Sequence, residues 1–76
     1  MNIVIGIKNI KAKKDGTEYV ELHTTFNDQF IDGTGVEVFF VRKDMIDNVE
    51  LLELGVCVNV YYNRFGRIDR LAVCSV

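Results

Sequence analysis

The stretch NRFGRIDRLAV, from Asn63 to Val73, sets Arg64, Phe65, Arg67 and Arg70 around a single glycine, Gly66. A turn needs the glycine; it does not need an aromatic ring between guanidinium groups. A flat ring stacks on another planar π system, and a cation holds an anionic oxygen. Residues of the same two types recur. Tyr19 and Tyr61 fall on the strand phase opposite the apolar one, and Lys11, Lys13 and Lys14 crowd the N-terminal segment. Cations along a groove with rings beside them are what holding a single-stranded nucleic acid requires. Each aromatic taken alone is as well explained by core packing or a dimer contact, and each lysine by a solvated surface.

Other chemistries find less support. His23 is the only histidine, and its strand neighbours Glu21 and Thr25 supply no nucleophile–base pair. The GTG of residues 33–35 lacks the lysine and long helix of a phosphate loop. The acids are scattered rather than paired for acid–base work. Cys57 and Cys74 lie in apolar strand-like runs without CxxC spacing, so they read as small buried hydrophobes, with a cross-strand disulfide the lesser reading. The expectation is a non-enzyme without metal or cofactor.

Net charge is −2 over 76 residues, but its distribution is uneven. Residues 1–14 carry +4, residues 15–54 carry −8, and residues 55–76 carry +2. A fold that joins the chain ends would have one positive side despite the acidic total. No apolar run approaches the ~20 residues of a membrane helix. The start, MNIVIGIKNIK, is apolar before it is basic, the reverse of a secretory leader, which predicts a cytoplasmic protein.

The length allows one domain, residues 1–76. Such a chain buries only about 60% of its unfolded surface, which favours a partner to cover the rest. Period-two alternation predicts strands over Asn2–Lys13, Thr17–Phe26, Val36–Val41, Val56–Asn63 and Ile68–Val76. In the first, Ile3, Ile5 and Ile7 share a face. The parity slips between Ile7 and Ile10, which predicts a bulge or bend near Gly6. Asp15-Gly16 marks a hairpin turn. In the second strand Val20, Leu22 and Phe26 face inward and Tyr19, Glu21, His23 and Thr25 outward. Asn27 to Gly35 reads as a loop, with Phe30 and Ile31 on the core or a partner. Both faces of the third strand are apolar. Asp44 predicts the cap of a short helix carrying Met45 and Ile46. The order β-β-β-α-β-β, with a bent first strand, predicts an all-β protein with one short helix: a five-stranded OB-fold-like Greek-key barrel. An SH3-like barrel or an open sheet is the rival. In the OB barrel the first strand lies beside the second and fourth, and the fifth closes onto the first. Lys11–Lys14, Tyr19 and the Arg64–Arg70 hairpin then share one side.

Phe65-Gly66, Ile68-Asp69-Arg70-Leu71 and Val73 resemble the C-terminal hairpin of the filamentous-phage single-stranded-DNA-binding, helix-destabilising proteins. The G-x-x-Y of Gly16 to Tyr19 resembles that family's second strand, and MNIVIGIKNI its aliphatic and lysine start. The resemblance implies an OB-fold homodimer that coats single-stranded DNA cooperatively. It implies base stacking by Phe65, contributed across the dimer, and by Tyr19, with Arg70 on a phosphate. The chain departs from the family in its short Lys13–Thr17 loop, in a last turn two residues shorter, and in its acidic charge. Lys11, Lys13 and Lys14 stand in for the family's loop arginines. Weaker affinity than a basic homologue and a steep salt dependence follow.

Two functions are therefore expected. One is sequence-tolerant binding of single-stranded DNA, with RNA left open, by a dimer of phage, plasmid or mobile-element origin. Its residues are Tyr19, Tyr61, Phe65, Arg64, Arg67, Arg70, Lys11, Lys13 and Lys14. The alternative is a small β-barrel that binds protein, itself included, with Phe65 as an interface anchor.

Overall fold

A computed structural model describes residues 2–27 and 29–74. The chain is all-β. Its strands are β1 (Asn2–Lys11), β2 (Glu18–Phe26), β3 (Gly35–Arg42), β4 (Ile46–Asp47), β5 (Cys57–Tyr62) and β6 (Ile68–Val73). They form one mixed sheet in the order β3-β2-β1-β5-β6-β4. Among the described strands only β4 and β6 pair in parallel. Among the described residues no helix is long and apolar enough to cross a membrane.

The core is one face of this bent sheet. Val4, Val20, Leu22, Phe39, Val41, Val58, Leu71 and Val73 are buried there, with Ile46 and Val56. Thr24 is the buried polar residue. Its hydroxyl donates to the Glu37 carbonyl at 3.3 Å and accepts from Asn2 Nδ2 at 3.0 Å, so its burial leaves no polar atom unpaired.

Strand β1 carries its expected irregularity beside Gly6, upstream of the Ile7–Ile10 slip in alternation that signalled it. The register shifts between Val4 and Gly6, leaving Ile5 as the bulge. The buried residue is Val4, 1% exposed, whereas Ile3 and Ile5 are exposed and Ile7 packs on the core edge. At the bulge Gly6 faces His23, and a β-carbon there would sit 3.2 Å from that of His23. The strand's start pairs with β5 only at Asn2↔Val58 and Ile3↔Cys57, so β1 serves both halves of the sheet.

The expected helix is absent. Residues 43–51 instead form two 3-10 turns, Lys43–Met45 and Val49–Leu51, separated by β4. Asn48 between them is left-handed, at φ 59°, which an α-helix does not admit. Ile46 is buried as a partner of Leu71, and this burial outweighs helix capping by Asp44. A sixth strand is thereby added.

The sheet is also not closed into a barrel. Strand β6 pairs with β5 and β4, not with β1, and β3 ends the sheet on the other side. The physical reason lies at β6: β4 already occupies its second edge at Leu71 and Ala72. The last two residues of the expected strand Ile68–Val76 lie outside the described residues. Phe30 and Ile31 are exposed rather than folded onto the core.

Candidate functional site

Residues opposite each other on antiparallel strands share a face. Register therefore sorts the sheet into its core face and an outer face. On the outer face β2 contributes Tyr19, Glu21, His23 and Thr25, and β3 contributes Val36, Val38, Phe40 and Arg42. Tyr19 lies opposite Arg42 and diagonal to Phe40. The two rings stack at 5.1 Å between centroids with planes 10° apart. Phe40 is 55% exposed, so much of its ring remains open.

Arg42 shares the outer face with this pair, and further cations stand at the same end of the sheet. Arg42 Nε lies 3.3 Å from Asp44 and Lys43 Nζ lies 3.9 Å from Glu18. Lys11 is opposite Glu18, in phase with buried Val20, so it stands at this end of the sheet on the other face. Lys13 and Lys14 are exposed on the turn that follows β1. That turn closes through Gly16 N–H to the Ala12 carbonyl at 2.9 Å and Ala12 N–H to the Thr17 carbonyl at 2.8 Å. Asp15 accepts from Thr17 N–H at 2.9 Å, and the Thr17 amide and hydroxyl hold its carboxyl below the ordinary carboxylate value. Gly16 supplies the positive φ, +74°.

The second cluster belongs to the β5–β6 hairpin. Asn63 organises its tip: the side-chain oxygen accepts from Phe65 N–H at 2.9 Å and Arg67 N–H at 3.1 Å. Gly66 takes φ +77°. Phe65 is 73% exposed, with the Arg64 guanidinium 4.9 Å from its ring centroid. Below the tip, Tyr61 is opposite Arg70, whose guanidinium lies 4.4 Å from the tyrosine centroid. Arg70 Nε also binds Asp47 at 3.2 Å. An anion that took Arg70 would exchange with that carboxylate, at little cost because an exposed ion pair is worth about 0–1 kcal/mol.

Register sets Tyr19 and Tyr61 on the same face but at opposite ends, with Lys11 at Tyr19's end on the other phase of β1. Ile3 faces Cys57 outward, so Cys57, Asn59 and Tyr61 continue the outer face. Lys11 lies eight residues from Ile3 along β1, about 26 Å away, and β5 runs the other way. The expected single patch is thus two patches, with Tyr19, Lys11, Lys13 and Lys14 in one and Tyr61, Arg64, Phe65, Arg67 and Arg70 in the other. Among the described residues, Lys11, Lys13, Lys14, Arg64 and Arg67 make no ion pair.

Phe40, Arg42 and Lys43 were not singled out from the sequence as site residues. Their signal was the alternation of β3, which is apolar on both faces; only the burial of Phe39 and Val41 selects the outer set. His23, which has no partner by spacing, pairs with Glu21 at 2.9 Å across one strand step. A cleft of about 650 Å³ opens on the core side between Phe26, Glu37 and Phe39 and the β5 residues Val58 and Val60. It holds the Glu37 carboxylate, bound by Asn2 Nδ2 at 3.2 Å, which is the wrong sign for a phosphate. Cys57 and Cys74 are free, half-buried neighbours, with Cys74 N–H donating to the Cys57 carbonyl at 2.9 Å.

Comparison of the chain with protein-family models, with curated proteins and with solved structures returned no match.

Proposed function

We propose that this chain binds single-stranded DNA without strict sequence preference, as a dimer, through the outer face of its sheet. The observation that carries the reading is the pairing of exposed rings with cations at both ends of that face: Tyr19–Phe40 beside Arg42, and Tyr61–Arg70 with Arg64–Phe65. Bases stack on Phe40, Tyr61 and Phe65, each stack worth about 1–3 kcal/mol. Lys11, Lys13, Lys14, Arg64 and Arg67 neutralise phosphates between them. The strand order β3-β2-β1-β5-β6 around a bent β1 supports an OB-fold opened between β3 and β6, a fold whose second- and third-strand face binds oligonucleotides. The resemblance to the phage helix-destabilising proteins points the same way and favours a phage, plasmid or mobile-element origin.

The test is fluorescence anisotropy with labelled oligo-dT over a salt series. Binding that falls steeply with salt, and that the double variant Phe65→Ala, Arg70→Ala weakens, supports the proposal. Equal binding by that variant overturns the assignment of the hairpin, and no binding at the lowest salt overturns the function. The protein-binding alternative is favoured by the apolar row on β3 and would appear as salt-insensitive association with a protein.

A further inference from the structure

Strand β3 ends the sheet, and nothing among the described residues pairs with its outer edge. Native sheets blunt such edges with charge, proline or a covering element. Here the edge is eight residues long, proline-free, and carries Val36, Val38 and Phe40 outward, each more than half exposed. An open edge with an apolar face is a template for another strand.

We infer that the occupant is β3 of a second copy, paired antiparallel about a two-fold axis at Val38. This deepens the dimer in the proposed function but does not depend on DNA binding. Two arguments select this partner and register. Opposite residues must share a face, so a symmetric pairing places Glu37, Val38 or Phe39 on the axis. Glu37 on the axis sets two carboxylates together. Phe39 on the axis sets Arg42 against Val36. With Val38 on the axis, Val38 meets Val38 and Val36 meets Phe40 twice, so each exposed apolar residue is covered by another. The ends are also complementary. Arg42, at the end of β3, falls opposite the other copy's Thr34, the residue before its β3 and two residues from its exposed Asp32. Arg42 is about half exposed despite its contact with Asp44 and has donors to spare.

The pairing joins two outer faces into one. The Phe40 rings then lie about 14 Å apart across the dyad, from a four-residue offset and one strand spacing. An interface built on one strand is small, below the ~800 Å² per partner of stable complexes. Association on the order of 10 µM or weaker is therefore expected.

Sedimentation equilibrium without nucleic acid, from about 1 µM to about 500 µM, tests the inference. The parent should move from 8.7 kDa toward twice that mass. Val38→Lys sets two like charges on the axis and should weaken dimerisation at least about ten-fold, as should Val38→Glu. Val38 is exposed, and circular dichroism checks that each variant keeps its fold. Mixing the two variants should restore the dimer, because lysine then faces glutamate. A parent that stays monomeric, variants that dimerise like the parent, or a mixture that remains monomeric overturns the inference. Oligo-dT binding by a monomeric parent would refute this surface and leave DNA binding standing; a dimer that ignores oligo-dT would do the reverse.

Discussion

Replacing Phe40 with alanine separates stacking from charge. The side chain is half exposed and outside the buried core, so its removal leaves no internal cavity. The loss to folding is the ring contact with Tyr19, about 0.5–1.5 kcal/mol, with the partial burial of the ring on top. The loss to binding is one base stack, about 1–3 kcal/mol, or about 5- to 150-fold in Kd. No cation is removed, so the slope of log K against log salt should not change. Lys11, Lys13, Lys14, Arg64 and Arg67, assigned to phosphates and without an ion pair among the described residues, set that slope at about −3.5 if all are used, from about −0.7 per phosphate on a single strand. Arg67→Ala should do the opposite, making the slope shallower by about 0.7 and shifting affinity little at high salt. Anisotropy with oligo-dT over a salt series reads both quantities. Unchanged affinity in Phe40→Ala, or a slope that changes as much as in Arg67→Ala, would refute a stacking role for the β2–β3 face.

Other outcomes can be checked separately. Gly35→Ala places a β-carbon 2.5 Å from the Phe26 ring, so urea unfolding should show a loss of about 1–3 kcal/mol. Asn63→Ala removes the acceptor for two tip amides; hydrogen exchange at Phe65 and Arg67 should accelerate, and oligo-dT affinity should fall because Phe65 is no longer held. Asp15 titrates below its ordinary 3.8 in the fold, so its contribution to stability is present above that value and is lost as pH falls through the folded pKa. Asp15→Asn should therefore flatten the acid side of a stability–pH curve below about pH 4. The Cys74 thiol is pushed above 9.0, first by its hydrogen bond to Cys57 and then by burial. Its contribution is present below 9.0 and lost as pH rises through the folded value, and Cys57→Ser should shift its alkylation profile.

Much of the fold was legible in local pattern. Alternation in Val20 and Leu22 against Tyr19 and Glu21 located the inner and outer faces of β2, and Asp15-Gly16 located the first turn. Both follow from chemistry within a few residues: a pleat that alternates sides, and a glycine free to take positive φ. The Asn63–Arg67 turn was legible for the same reason. The bulge near Gly6 was foreseen, but the buried face of β1 was not, because Ile3 and Ile5 mimic it until Val4 is seen beneath the sheet.

Other features depended on contacts distant in sequence. Asp44-Met45-Ile46 reads as a helix start until Leu71 offers Ile46 a buried place beside β6. That same pairing occupies the edge a closed barrel would need, so one local competition decided the architecture. Both faces of β3 are apolar, and only packing against Leu22 and Val20 determined that Phe39 and Val41 go in and Phe40 comes out beside Tyr19. The sequence by itself determined which residue types could stack and carry charge, and which turns present them. Tertiary register decided that they stand at two ends of the sheet, because the separation of Lys11 from Arg64 depends on how β5 pairs with β1, and that pairing rests on Asn2 and Ile3.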